Sequence, residues 1–136
     1  MRLSERRADV DAVYASDLQR AVETVELAFG ETEIPIRFDA RLRECNYGRF
    51  NGAPVEELRR AEHVDTPYPD GESFRDVVVR TQSFLDALRS EPNESSICVV
   101  GHSANLWALK HLLQGADLRE LVDAPFGWRE GWEFSV

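Results

Sequence analysis

The sequence predicts an α/β protein, a three-layer α/β/α sandwich built on a mostly parallel sheet. Short apolar runs of strand character alternate with stretches whose apolar residues recur at helical spacing. Ile97-Cys98-Val99-Val100 is apolar at every position, which suits a strand covered on both faces of a parallel sheet. That run leads through Gly101-His102-Ser103 directly into a helical segment, as strand–turn–helix units do.

Val10 to Ala15 reads as the first strand approach. Ser16 then reads as a helix cap, with Gln19 completing a capping-box pattern and Asp17 favourable in the first turn. Leu18, Ala21, Val22, Val25 and Phe29 form the apolar face of that helix, and Gly30 is its stop. Ile34 to Phe38 is a second short strand. Pro54 to Ala61 predicts a short helix with its proline near the first turn. Ser73 caps the longest helix, whose buried stripe is Phe74, Val77, Val78, Thr81, Leu85 and Leu88. Ala104 to about Gln114 is the helix after His102, ended by Gly115. Trp132 to Val136 can form a last strand.

The 136 residues fit a single domain that can bury a core without metals or disulfides. Hydrophobic residues make up 43% and charged residues 30%, an ordinary globular balance. The net charge of −9 argues against nucleic acid or an anionic membrane as a general partner, because both need a basic surface. A small anionic ligand in a local cationic pocket stays allowed. No signal peptide or membrane-spanning run is recognised, and Cys45 and Cys98 have neither CxxC nor zinc-ligand spacing. Two reduced thiols in a cytoplasmic protein are expected.

Three positions carry candidate chemistry. His102 stands where a parallel strand ends and a helix begins, a place where backbone N–H groups favour an anion such as phosphate. Arg20, early in the first helix and off its apolar face, offers a planar guanidinium that can grip two phosphate oxygens. Glu44, in Leu42-Arg43-Glu44-Cys45-Asn46-Tyr47-Gly48, offers the carboxylic acid that a leaving alkoxide needs, since a carboxyl beside a phosphate dianion holds its proton more readily. Taken singly, each also fits a turn histidine, a solvated arginine or a surface glutamate. Asp70-Gly71-Glu72-Ser73 is explained by a turn followed by a helix cap.

Read together and in order, Ser-Asp-Leu-x-Arg-Ala (16–21), Leu-x-Glu-x-x-Tyr-Gly (42–48), Gly-Glu-Ser (71–73) and a strand ending in Gly-His (101–102) resemble the histidine phosphatase superfamily, whose fold is phosphoglycerate mutase-like. The resemblance runs from about Asp11 to the end of the chain. It implies that Arg20 clamps phosphate, that Glu44 is the proton donor, and that His102 hydrogen-bonds the transferred phosphoryl group. Tyr47 and Ser103 would line the pocket. It implies phosphoryl transfer to a histidine and then to water, no cofactor and no metal, a small phosphorylated substrate, and room for a homodimer.

The family's nucleophile lies in an Arg-His-Gly triplet after its first strand. None of the three histidines here, His63, His102 and His111, follows an arginine. Only 19 residues precede Arg20, while a parallel crossover takes roughly a dozen or more. The domain is therefore expected to lack the family's first strand and helix, with Leu3 to Arg7 as the stub of that helix and a late start as the simplest account. The strand carrying His102 would then lose a neighbour and expose ladder groups. A phosphomonoester hydrolase in full-length form, inactive as written, is the first functional expectation. A non-catalytic module binding phosphorylated ligands or partners is the alternative. A mutase is less favoured, because the family's mutases resemble one another in a longer insertion between the positions of Glu44 and Gly71.

Overall fold

The computed structural model describes residues 10–91, 96–124 and 132–135. Its order is β1 (Ala12–Ala15), α1 (Gln19–Phe29), β2 (Ile36–Phe38), α2 (Phe74–Arg89), β3 (Ile97–Val100), α3 (Ser103–Gln114) and α4 (Leu118–Asp123). The long connection from β2 to α2 carries short 3-10 turns at Ala40–Leu42, Gly48–Phe50, Val55–Glu57 and Arg60–His63. The strands form one parallel sheet in the order β2-β1-β3, with Val13 opposite Ile36 and Cys98, and Ala15 opposite Phe38 and Val100.

The period-two alternation of strands builds the three layers. Val13 and Ala15, with Cys98 and Val100 beside them, pack against Val25, Ala28 and Phe29 of α1. Ala12 and Tyr14, with Ile97 and Val99, face the other way, onto Phe84 and Leu85 of α2 and Leu109, Leu112 and Leu113 of α3. Tyr14 meets Phe84 edge to face at 5.5 Å. A third cluster ties α2, α3 and α4 to the long connection through Tyr68, Phe74, Val77, Trp107, Leu118 and Val122.

Several expected elements stand as read. Ser73 caps α2 in a full capping box with Asp76, and Gly115 ends α3 in the left-handed region at φ 71°. The buried stripe of α2 holds Phe74, Val77, Val78, Thr81 and Leu85, with Phe84 added, while Leu88 in the last turn is only partly buried.

Other elements differ. Ser16 does not cap α1: the helix begins at Gln19 with Leu18 as its cap residue, and Ser16 is fully buried one turn earlier. The helix expected over Pro54 to Ala61 is two 3-10 turns, because Arg59 between them sits at φ 45°, which right-handed helix cannot accommodate. All four residues of β3 are only partly buried, not covered as an inner strand would be. The reason is topological: β1 is the central strand, and β3 forms the outer edge of the sheet among the described residues. Trp132 to Ser135 form no strand, since no ladder partner pairs with them among the described residues; the Trp132 ring lies instead against the Lys110 ammonium at 5.7 Å. Val136 and the stretch from Leu3 to Arg7 lie outside the described residues.

Candidate active site

β3 delivers the chain to His102, whose extended backbone (φ −129°, ψ 176°) makes it the cap residue of α3 rather than part of the helix. The imidazole Nε2 lies 3.0 Å from Ser16 Oγ, at the end of the neighbouring strand β1. Ser16 Oγ also accepts the Leu18 N–H at 3.2 Å. The residue that sequence patterning assigned to a helix cap therefore closes a small turn and steadies His102. Nothing in the local sequence separates these uses, because Ser-x-x-Gln before an apolar stripe fits both.

Glu44 comes to the same place from the long connection. Its Oε1 accepts its neighbour Cys45's N–H at 2.8 Å and, sixty residues on, the Ala104 N–H at 3.2 Å. The carboxylate thus occupies part of the first turn of α3, where helix N–H groups are unpaired and the macrodipole favours negative charge. Of the backbone N–H groups that favour an anion at this helix start, that of Ala104 already serves Glu44. Asn105 completes the corner. Its Oδ1 accepts the His102 N–H at 2.7 Å and its Nδ2 donates to the Arg43 carbonyl at 3.1 Å.

Arg20 is the second residue of α1, exposed, with its guanidinium in no hydrogen bond or ion pair among the described residues. Its charge nevertheless reaches His102. Burial holds the His102 imidazole below its ordinary pKa; Glu44 opposes that, and the positive charges of Arg20 and Arg80 add to it. Burial thus favours the neutral imidazole, in which one ring nitrogen is a donor and the other an acceptor. Tyr47 stacks edge-on with Tyr68 at 5.1 Å and Phe74 at 6.2 Å, and burial first, then Glu44's charge, pushes its phenol well above the ordinary range. Ser103 is the first residue of α3, half-buried beside His102. The structure thus brings Glu44 and Arg20 close enough to His102 for their charges to act on its imidazole, while the Tyr47 ring packs with Tyr68 and Phe74.

Two further residues shape the site and were not singled out in the sequence. Arg43 grips Asp17 with two bonds of 2.6 and 2.7 Å, joining the Glu44 loop to the start of α1 and holding the Asp17 carboxyl below its usual range. Arg80 of α2 reaches under that loop to several of its carbonyls and to Glu72. The other histidines are engaged elsewhere: His63 stacks on Tyr68 at 3.8 Å, and His111 bonds the Ala116 carbonyl and approaches Arg75. Two surface cavities, of ≈ 280 and ≈ 610 Å³, are lined by other residues, the first around Tyr14 and Arg37, the second around Phe50 and His63.

A family model described as the histidine phosphatase superfamily (branch 1) matches residues 2–127. The "Probable phosphoglycerate mutase GpmB" of Shigella dysenteriae serotype 1 is 30% identical over 113 residues, covering 76% of this chain and 53% of that protein. The chain thus spans about half the length of this curated relative. Among solved structures, Bacillus stearothermophilus YhfR aligns with a TM-score of 0.74 at 28% identity, covering 92% of this chain and 68% of that one. A mycobacterial glucosyl-3-phosphoglycerate phosphatase aligns with a TM-score of 0.68 at 25% identity, covering 88% and 65%.

Proposed function

The chain belongs to the histidine phosphatase superfamily, and from that premise we propose that it is part of a phosphomonoester hydrolase whose full-length form works through a phosphohistidine. The observation that carries this reading is the seat of Glu44 Oε1 on the first turn of α3, 3.2 Å from the Ala104 N–H and two residues from His102. In this mechanism Arg20 and neutral His102 hold the equatorial oxygens of the transferred phosphoryl group, stabilising the charge that builds in the transition state. Glu44 delivers a proton to the leaving oxygen. Tyr47 and Ser103 border the substrate. Ser16 keeps the His102 ring in its rotamer. The histidine that takes the phosphoryl group comes from an Arg-His-Gly segment, which the 136 residues do not contain. With this go a single catalytic domain, a small phosphorylated substrate, a cytoplasmic location and a homodimer. No helix among the described residues is long and apolar enough to cross a membrane.

The test compares this chain with a version extended upstream through an Arg-His-Gly triplet, both assayed on an activated phosphate ester at several pH values. Turnover is expected only from the extended protein. Comparable turnover from the short chain, abolished by His102→Ala, would mean that the nucleophile has been misassigned. A second reading, a non-catalytic module for phosphorylated ligands, draws on the engagement of His63 and His111 away from the site. Vanadate binding with no turnover in the extended protein would favour it. A mutase would transfer the phosphoryl group between hydroxyls of a phosphorylated acid rather than to water, and product analysis on the extended protein separates the two.

A further inference from the structure

Arg80 lies on α2, well away in sequence from the three motif residues, yet its guanidinium is shared between the loop that carries Glu44 and the Glu72 carboxylate. Its Nη1 donates to the carbonyls of Arg41 and Arg43 at 2.7 and 2.8 Å, and its Nη2 to the carbonyl of Glu44 at 3.0 Å. Its Nε and Nη2 meet the two carboxylate oxygens of Glu72, each at 3.0 Å. Glu72 in turn accepts the Asn46 N–H at 2.9 Å, so the loop is gripped on both sides of Glu44. The Arg43 carbonyl also receives Asn105 Nδ2, whose own Oδ1 holds the His102 N–H. One continuous set of bonds therefore runs from Arg80 through the Glu44 loop to His102.

We propose that Arg80 is a positioning residue for the acid, fixing the Glu44 carboxylate on the first turn of α3 beside His102. The proposal rests on the reading of Glu44 and His102 as one site. The physical argument is one of geometry. Three carbonyls that converge on one side need a planar, multi-donor cation, and the fork of a guanidinium supplies it. A lysine keeps the charge and can keep the pairing with Glu72, but its compact ammonium cannot reach all three carbonyls and both carboxylate oxygens together. If Arg80 served only as a half-buried partner for Glu72, lysine would suffice. If it sets the loop, lysine will release Glu44 from the Ala104 N–H.

The test is NMR on the isotope-labelled chain, reading the His102 ring titration and the Ala104 amide proton against pH. The charged groups acting on His102 are Glu44, Arg20 and Arg80, and Arg80→Lys leaves all three charges in place. In the parent protein the Ala104 amide should follow Glu44 ionisation, and Glu44→Gln should shift the His102 midpoint downward because an opposing carboxylate is gone. Arg80→Lys is expected to shift it downward by as much, to abolish the Ala104 response, and to leave nothing further for Glu44→Gln to do in the double variant. A parent-like His102 midpoint and an intact Ala104 response in Arg80→Lys would overturn the proposal. If Arg80→Lys does not fold, Glu72→Gln, which loosens the other jaw of the same clamp, takes its place; an unmoved midpoint there would equally overturn it. Should Glu44→Gln itself leave His102 unmoved, the shared site fails first and the proposal with it.

Discussion

Gly48→Ala should be far more damaging than Gly52→Ala, although both glycines have positive φ, 56° and 86°. Left-handed backbone costs a residue with a Cβ about 1–2 kcal/mol, and both variants bear that cost. Around Gly52 nothing lies within 4 Å of an added Cβ, so strain is the whole effect. At Gly48 the new methyl would run into the Pro69 carbonyl oxygen and come to 2.7 Å from both the Asp70 carbonyl carbon and the Gly71 nitrogen. These are backbone atoms and cannot rotate aside, so the two loops must part. The bonds at the crossing are Arg49 N–H to the Pro69 carbonyl at 2.9 Å and Glu72 N–H to the Asn46 carbonyl at 2.7 Å. Losing both adds roughly 1 kcal/mol each. Gly48→Ala should therefore cost about 3–4 kcal/mol against about 1–2 for Gly52→Ala, a large share of the roughly 5–15 kcal/mol that keeps a domain folded. Urea titrations with a common slope would measure the difference. Equal losses from the two variants would refute the claim that crowding, not dihedral strain, fixes glycine at position 48.

Further outcomes follow from the same contacts. Ser73→Ala removes the acceptor for the Asp76 N–H at 3.1 Å and should destabilise α2 by about 1 kcal/mol in chemical denaturation. Because burial depresses the His102 pKa, the unfolded chain binds its proton first as pH falls; stability should be full above the ordinary value of 6.5 and drop as pH descends from there through the lowered folded value, and His102→Gln should remove that part of the pH dependence. The Cys45 thiol is pushed up to about 12 and Cys98 is also raised, burial being the leading cause in both, so neither should react with a disulfide reagent at pH 8 until the protein is unfolded. In the extended protein, Glu44→Gln should slow esters with poor leaving groups by far more than activated ones; equal slowing would remove Glu44 from the role of proton donor.

The elements legible in the sequence are those whose cause is local. An unbroken apolar run marks β3, Ser73 with Asp76 marks the start of α2, and Gly115 marks the end of α3, because strand burial, capping and left-handed backbone each leave their signature within a few residues. The ordered motifs likewise brought Arg20, Glu44 and His102 to notice, although each alone was unremarkable. What only the tertiary structure decided depends on groups distant in the chain. Ser16 reads locally as a cap; it is fully buried because β1 is the central strand, and its hydroxyl faces His102, eighty-six residues away. The four apolar residues of β3 say by themselves only that it is a strand; an open edge on it was expected from the resemblance, and the pairing order β2-β1-β3 puts it at the outer edge of the described sheet. α4 is short, and its burial of Leu118 and Val122 comes from packing in the same cluster as Tyr68, Trp107 and Val64. Arg80 is the sharpest case. On a helical wheel it is one more cation beside a buried stripe. Its role arises from three carbonyls on another segment, which share no sequence pattern with it and which only the folded chain brings within about 3 Å, the reach of a hydrogen bond.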